Sequence, residues 1–136
     1  MATTAFVWTL SKSATFEASH RLPLHSGKCR RLHGHSWKVV VEVGSNELGQ
    51  HGSSTDMAVD FGDVGAPLKA LVEDSLDHYH LNGGPDGPST GLANPTSERV
   101  ARWIFDKLEP VYEALGVTLT AVTVEETCTS RARYEP

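Results

Sequence analysis

The stretch HGHSWKVVVEV, residues 33–43, alternates with a period of two: Trp37, Val39, Val41 and Val43 share one parity, and His33 and His35 fall on it too. Successive side chains of a strand point to opposite faces, so the pattern predicts a half-buried strand whose inward face begins with two histidines. The same period runs through residues 6–20, where Phe6, Trp8, Leu10, Ala14, Phe16 and Ala18 share a parity broken by Lys12, and His20 falls on it again. Strands with one apolar face need a covering layer, which commits the chain to a sheet packed on something else.

Helical spacing supplies that layer. After the polar stretch GSNELGQHGSST, a loose hairpin loop, MAVDF is expected to return as a third, antiparallel strand. Asp60 then reads as a helix cap, with Asp63 near the positive helix start and Val64, Leu68, Leu71 and Val72 as an apolar stripe. The glycines and prolines of LNGGPDGPSTGLANP exclude regular structure. Asn94 and Pro95 read as the cap and first residue of a second helix, with Glu98 in its opening turn. Val100, Ile104, Leu108, Val111 and Leu115 form its stripe, Pro110 is expected to kink or divide it, and Gly116 ends it. VTLTAVTVEET reads as a closing strand. The expected fold is α+β: one antiparallel sheet with two helices on one face. Its other face, carrying apolar residues as well, is expected to need a partner subunit.

At 136 residues and 39% hydrophobic composition the chain can bury one ordinary core, so residues 1–136 are expected to form a single domain. A net charge of -5 gives no broad basic surface for nucleic acid or an anionic membrane, although Lys28, Arg30 and Arg31 make a local basic group. The amino-terminal residues lack the basic and apolar regions of a secretory leader, and no segment has the apolar length of a membrane span. Cys29 and Cys128 allow at most one internal disulfide, so both are expected to be thiols in a reducing cytoplasm.

Histidines at positions 20, 33 and 35, on the same faces of neighbouring strands, can meet as three neutral imidazoles. That ligand set suits catalytic zinc, because it leaves a fourth position for water or substrate. The bland account makes them polar residues at a turn entering a strand, and His25, His51, His78 and His80 keep the ligand set open on spacing alone.

FEASHRLP, KCRRLHGHSW, VDFGDV, LDHYHLN, NPTSE and EETCT, in that order, resemble the 6-pyruvoyl-tetrahydropterin synthase and 6-carboxytetrahydropterin synthase family over nearly the whole chain. The resemblance implies the tunnelling fold, in which the sheet assembles by trimers into a barrel and two trimers stack into a homohexamer. It places zinc on His20, His33 and His35. It makes Cys29 the catalytic thiol, with an Asp77–His78 pair supplied by a neighbouring subunit and His80 as the lesser candidate for that role. Lys28, Arg30 and Arg31 would favour the thiolate. Glu126 would anchor the pterin by accepting two parallel N–H bonds, with Thr127 marking it out from Glu125, and Thr96 of another chain would help recognise the ring. For Glu98, an acid favouring a helix start is account enough.

The implied substrate is 7,8-dihydroneopterin triphosphate. Cys29 lies four residues before His33, which resembles the carboxy branch of the family, whose product is 6-carboxy-5,6,7,8-tetrahydropterin with release of acetaldehyde and triphosphate, on the route to 7-deazaguanine and queuosine. The alternatives are the pyruvoyl branch, with a longer insertion there, and a non-catalytic pterin-binding relative. No dinucleotide-binding glycine motif is present, and the internal redox balance of the implied reaction requires no nicotinamide.

Overall fold

In the structure, a computed structural model that describes residues 5–136, the two alternating segments form one long antiparallel hairpin. Strand β1 (Trp8–His20) pairs with β2 (His33–Ser45) without interruption from Trp8 opposite Ser45 to His20 opposite His33. Residues 1–4, included in the single-domain and leader expectations, lie outside the described residues.

β4 (Thr118–Thr127) adds to the other side of β2, and β5 (Ser130–Tyr134) pairs with β4, both antiparallel. A two-residue β3 (Tyr79–His80) lies beside β1, giving the order β3-β1-β2-β4-β5. The β1–β3 pair is parallel, so the sheet is mostly rather than wholly antiparallel. Helices α1 (Phe61–Leu71) and α2 (Ser97–Ala114) supply the second layer. No helix among the described residues is long and apolar enough to cross a membrane.

The expected strand at MAVDF does not form. Both edges of β2 are already taken by β1 and β4, and the segment instead leads into α1. There Asp60 caps the helix as expected, its carboxylate accepting from the Gly62 N–H at 2.8 Å. α1 widens into a π-helical turn, Val72–Leu76, closed by Asp77 N–H donating to the Val72 carbonyl at 2.8 Å. The short β3 and β5 lacked a strand signal long enough to read.

The cap of α2 is Thr96, two residues after the expected Asn94, because its hydroxyl accepts from the Arg99 N–H at 3.2 Å. Pro95 therefore stays outside the helix, with its carbonyl free for another partner. The helix runs undivided through Pro110. Its buried row continues from Leu108 to Tyr112 rather than to Val111 and Leu115, which are exposed. The i, i+4 spacing of Val100, Ile104, Leu108 and Tyr112 keeps that row facing Trp37, Val39, Val41, Val122 and Val124 across the core.

The uncovered face of the sheet is more polar than expected. Glu125 faces Lys38 at 3.9 Å and Arg131 at 3.7 Å, and Arg133 pairs with Glu42 and Glu135. Glu42 holds the Arg133 guanidinium in its charged form, pushing its pKa up. What remains open is edge rather than apolar face: β3 meets only Ala18 and Ser19 of β1, and β5 ends the sheet.

The two helices are joined by one buried hydrogen bond, Tyr112 Oη donating to the Val64 carbonyl at 2.7 Å. Burial pushes the phenol pKa up, so it stays a donor. Tyr112→Phe is expected to lower the unfolding free energy by about 1–2 kcal/mol in urea titration with unchanged circular dichroism, and no loss of stability would show that this contact contributes nothing.

Candidate metal centre and active site

The hairpin register decides what meets at its open end. With His20 opposite His33 and Ala18 opposite His35, three imidazoles project from one face, with ring centroids 4.6, 5.2 and 5.0 Å apart. One nitrogen from each lies within 4.8 Å of the others, an arrangement able to hold a metal ion.

Main-chain carbonyls set the tautomers of two rings. His20 Nδ1 is 2.9 Å from the Pro95 carbonyl, and His33 Nδ1 is 2.6 Å from the Arg31 carbonyl. A carbonyl only accepts, so each Nδ1 carries hydrogen, and in the neutral ring the lone pair falls on Nε2. The Nε2 atoms of His20 and His35 are buried without a hydrogen-bond partner, an arrangement that a bound cation satisfies. Burial lowers the pKa of His20 and His35, against the pull of the Glu126 carboxylate and, at His20, of the Pro95 carbonyl, which favours the neutral form of these two rings. Trp37 supports them from the core, its ring edge-on to His20 and His35 at 5.0 and 5.5 Å. The donor set fits a zinc ion. Gly34 is not required by crowding at the ligands: it lies on the opposite parity, and a Cβ there would meet the Ala18 carbonyl at 3.4 Å, an ordinary contact.

Glu126 joins this cluster by strand alternation: it shares the inward parity of the buried Val122 and Val124, while Glu125 lies on the charged open face, and the β4–β5 register shifts only beyond Glu125. Its carboxylate oxygens lie 3.4 Å from His35 Nε2 and 4.0 Å from His20 Nε2, the first close but not aligned as a hydrogen bond. Ser97 Oγ, in the first turn of α2, donates to Glu126 Oε2 at 3.0 Å. Sequence reasoning missed Ser97, because spacing within NPTSE gives no sign that its hydroxyl reaches β4. Thr96 and Thr127 spend their hydroxyls locally, Thr96 on the helix cap and Thr127 on the Thr129 N–H at 3.3 Å in the β4–β5 turn.

Cys29 is half-buried in the 3-10 turn Lys28–Arg30. With Lys28, Arg31, Leu32, His33, Gly34, His35 and Glu126 it lines a cavity of about 530 Å³. Asp77 and His78 lie elsewhere on the same chain. The π-helical turn delivers them to the outer edge of β1, where Asp77 Oδ1 accepts from the Glu17 N–H at 2.8 Å and the His78 N–H donates to the Glu17 carbonyl at 2.6 Å. Asp77 Oδ2 is 2.9 Å from His78 Nδ1. The Glu17 N–H, and then the His78 ring, hold the Asp77 carboxyl below its usual pKa.

His78 has a φ of 64°, a left-handed conformation costly for a non-glycine residue, and its side chain is 80% exposed. It lines a second cavity, also about 530 Å³, with Glu17, Ser19, His35, His80 and Asp86. His80 Nδ1 is engaged by Ser19 Oγ at 3.0 Å. The structure thus brings Cys29 and Glu126 into one cavity with two of the three clustered histidines, and leaves His78, oriented by Asp77, at a separate cavity that shares Gly34 and His35 with the first.

Residues 9–136 match the family model described as 6-pyruvoyl tetrahydropterin synthase. The 6-carboxy-5,6,7,8-tetrahydropterin synthase of Synechocystis sp. is 52% identical over 128 residues, covering 94% of this chain and 93% of that protein. Its Bacillus subtilis counterpart is 33% identical over 135 residues, covering 96% and 87%. Among solved structures, the Caenorhabditis elegans 6-pyruvoyl tetrahydropterin synthase superposes with a TM-score of 0.76 at 27% identity, covering 95% of each chain. A family match over nearly the whole chain, relatives of the same length, and a sheet with two helices that superposes on an enzyme of that name agree: this chain belongs to the 6-pyruvoyl tetrahydropterin synthase family of enzymes.

Proposed function

We propose that this enzyme is a 6-carboxy-5,6,7,8-tetrahydropterin synthase. Acting as a single-domain, zinc-dependent cytoplasmic homohexamer, it converts 7,8-dihydroneopterin triphosphate to the carboxypterin with release of acetaldehyde and triphosphate, for 7-deazaguanine and queuosine synthesis. The observation that carries the reading is the three-histidine cluster with its buried, unpartnered Nε2 atoms on His20 and His35, two of whose members, His33 and His35, line one cavity with Cys29. The 52% identical relative of that name supports the carboxy branch, as does the short spacing from Cys29 to His33.

Each residue has a distinct task. A bound zinc ion supplies Lewis-acid polarisation of the substrate's side-chain hydroxyls. Cys29, as thiolate, takes a proton from the carbon beside them. Asp77 orients His78 through its Nδ1 contact, and the pair exchanges protons with the thiol side from a neighbouring copy. This inter-subunit reading is supported by the separate cavities of Cys29 and His78 within one chain. Thr96 and Thr127, with their hydroxyls engaged locally, contribute to ring recognition through the segments they fix.

For Glu126 the geometry favours a second reading over pterin anchoring. The 2-amino and N3 edge of a pterin lies across the ring system from the carbon that bears the side chain. A carboxylate 3.4 Å from His35 would stand beside a side chain held at the histidines, where accepting a proton is the apter task. Ser97 keeps it in place.

Purified protein is expected to contain zinc in proportion to subunits by elemental analysis, and His33→Ala to lose it; undiminished zinc in that variant would refute the ligand set.

The reaction is tested by mass spectrometry under anaerobic conditions with acetaldehyde trapping, where the carboxypterin and acetaldehyde are expected from the wild type. Cys29→Ala should lower turnover far more than binding, and Glu126→Gln should lower kcat with little change in KM. A KM rise alone in Glu126→Gln would restore the anchoring role, and 6-pyruvoyl-tetrahydropterin as the main product would move the enzyme to the other branch.

Shared active sites predict complementation. Mixed Cys29→Ala and His78→Ala subunits should regain part of the activity that each lacks, and no recovery in verified mixed oligomers would place the relay within one chain.

A further inference from the structure

Lys38, Lys69, Arg102, Arg131 and Arg133 each lie within ion-pair distance of a carboxylate. Among the described residues Lys28 and Arg31 have no ion pair, as is also true of Lys12, Arg21, Arg30, Arg99 and Lys107, so position rather than lack of a partner sets these two apart. Both line the cavity that holds Cys29, His33 and His35.

The local backbone accounts for that placement. The Lys28–Arg30 turn is closed by the Arg31 N–H donating to the Lys28 carbonyl at 2.9 Å. With three residues per turn, side chains three apart fall on the same side. Arg30, out of step with both, does not line the cavity. The Arg31 carbonyl is in turn bonded to His33 Nδ1 at 2.6 Å, which fixes the turn against the histidine cluster.

We propose that Lys28 and Arg31 form a subsite for the polyphosphate tail of the substrate, beside the histidines. The identity of the anion rests on the reaction proposed above; the subsite itself rests on two unpaired cations held on one side of a turn that faces a cavity. A planar guanidinium meets phosphate oxygens two at a time, and an ammonium adds a point charge, so one of each suits a multiply charged tail. The neighbouring cavity is lined by Glu17 and Asp86 with no lysine or arginine, whereas the Cys29 cavity sets Lys28 and Arg31 against the single carboxylate of Glu126, so a polyanion is better met in the latter. Cys29 lies between the two cations in the chain, so a tail gripped by both runs past the thiol and holds the reacting side chain near it.

The test titrates inorganic tripolyphosphate into the assembled, zinc-loaded protein by calorimetry. Lys28→Gln and Arg31→Gln are each expected to weaken binding roughly tenfold, the double variant further, while Arg30→Gln stays within about twofold of wild type. Raised ionic strength should weaken binding to the wild type and much less to the double variant. Unphosphorylated 7,8-dihydroneopterin should bind all four forms alike, and unchanged zinc content shows that the site is intact.

Tripolyphosphate binding that is equal in wild type and double variant would mean that the anion meets the metal or another patch, and would overturn the subsite. An Arg30→Gln loss as large as that of Arg31→Gln would overturn it too, as a general charge effect. Binding that depends on Lys28 and Arg31 without formation of the carboxypterin would sink the proposed reaction and leave the subsite standing. Carboxypterin formation with unchanged KM in Lys28→Gln and Arg31→Gln would do the reverse.

Discussion

The register of the β1–β2 hairpin is the constraint on which the site depends. Because strand side chains alternate, a slip of one residue would leave His33 and His35 on the opposite face from His20. The core holds that register immediately below the histidines. Phe16 lies directly opposite Trp37 with its ring stacked on it at 5.8 Å, and Trp37 Nε1 donates to the Ala18 carbonyl at 3.1 Å. Val39, Val41 and Val43 continue the buried row away from the site, so slippage would expose all of them as well as scatter the ligands.

The second helix is tied to the same point, and its cap explains how. Thr96 rather than Asn94 starts the helix, which leaves the buried Pro95 carbonyl free to fix the His20 ring. One residue beyond the cap, Ser97 reaches Glu126. The first turn of α2 therefore orients one ring of the histidine cluster and the carboxylate beside it. A change made there to adjust helix stability would also disturb the geometry of the site.

What the sequence revealed and what it hid divide along the same physical line. Period-two alternation over β1 and β2 is long and strongly apolar, and it carried the hairpin and the common parity of His20, His33 and His35 directly into the structure. The expected third strand failed because a short apolar run cannot announce that both edges of its intended neighbour are taken. Glu126 was picked out against Glu125 by its motif, and it shares the inward parity of Val122 and Val124, so plain alternation carries it to the face of the histidines. Ser97, the Pro95 carbonyl and the Glu17 main chain were invisible because their contributions are single hydrogen bonds between segments far apart in the chain.

β1 links the two clusters of candidate residues. Its inward face ends in His20, and its outer edge, at Glu17, clamps Asp77 and His78 through main-chain groups. The two clusters are neighbours, yet the thiol opens into one cavity and His78 into the other. A histidine held in a strained backbone conformation, oriented by a carboxylate and mostly exposed, is costly to maintain unless something meets it. The sheet supplies a route to such a partner: β1 has no strand beside its outer edge before Glu17, β5 is the far edge, and the face between them is charged rather than greasy. Edges left open beside a polar face suit continuation of the sheet from copy to copy better than stacking of faces. Continuation of that kind would carry the edge of β1, with His78 on it, up to a neighbouring chain.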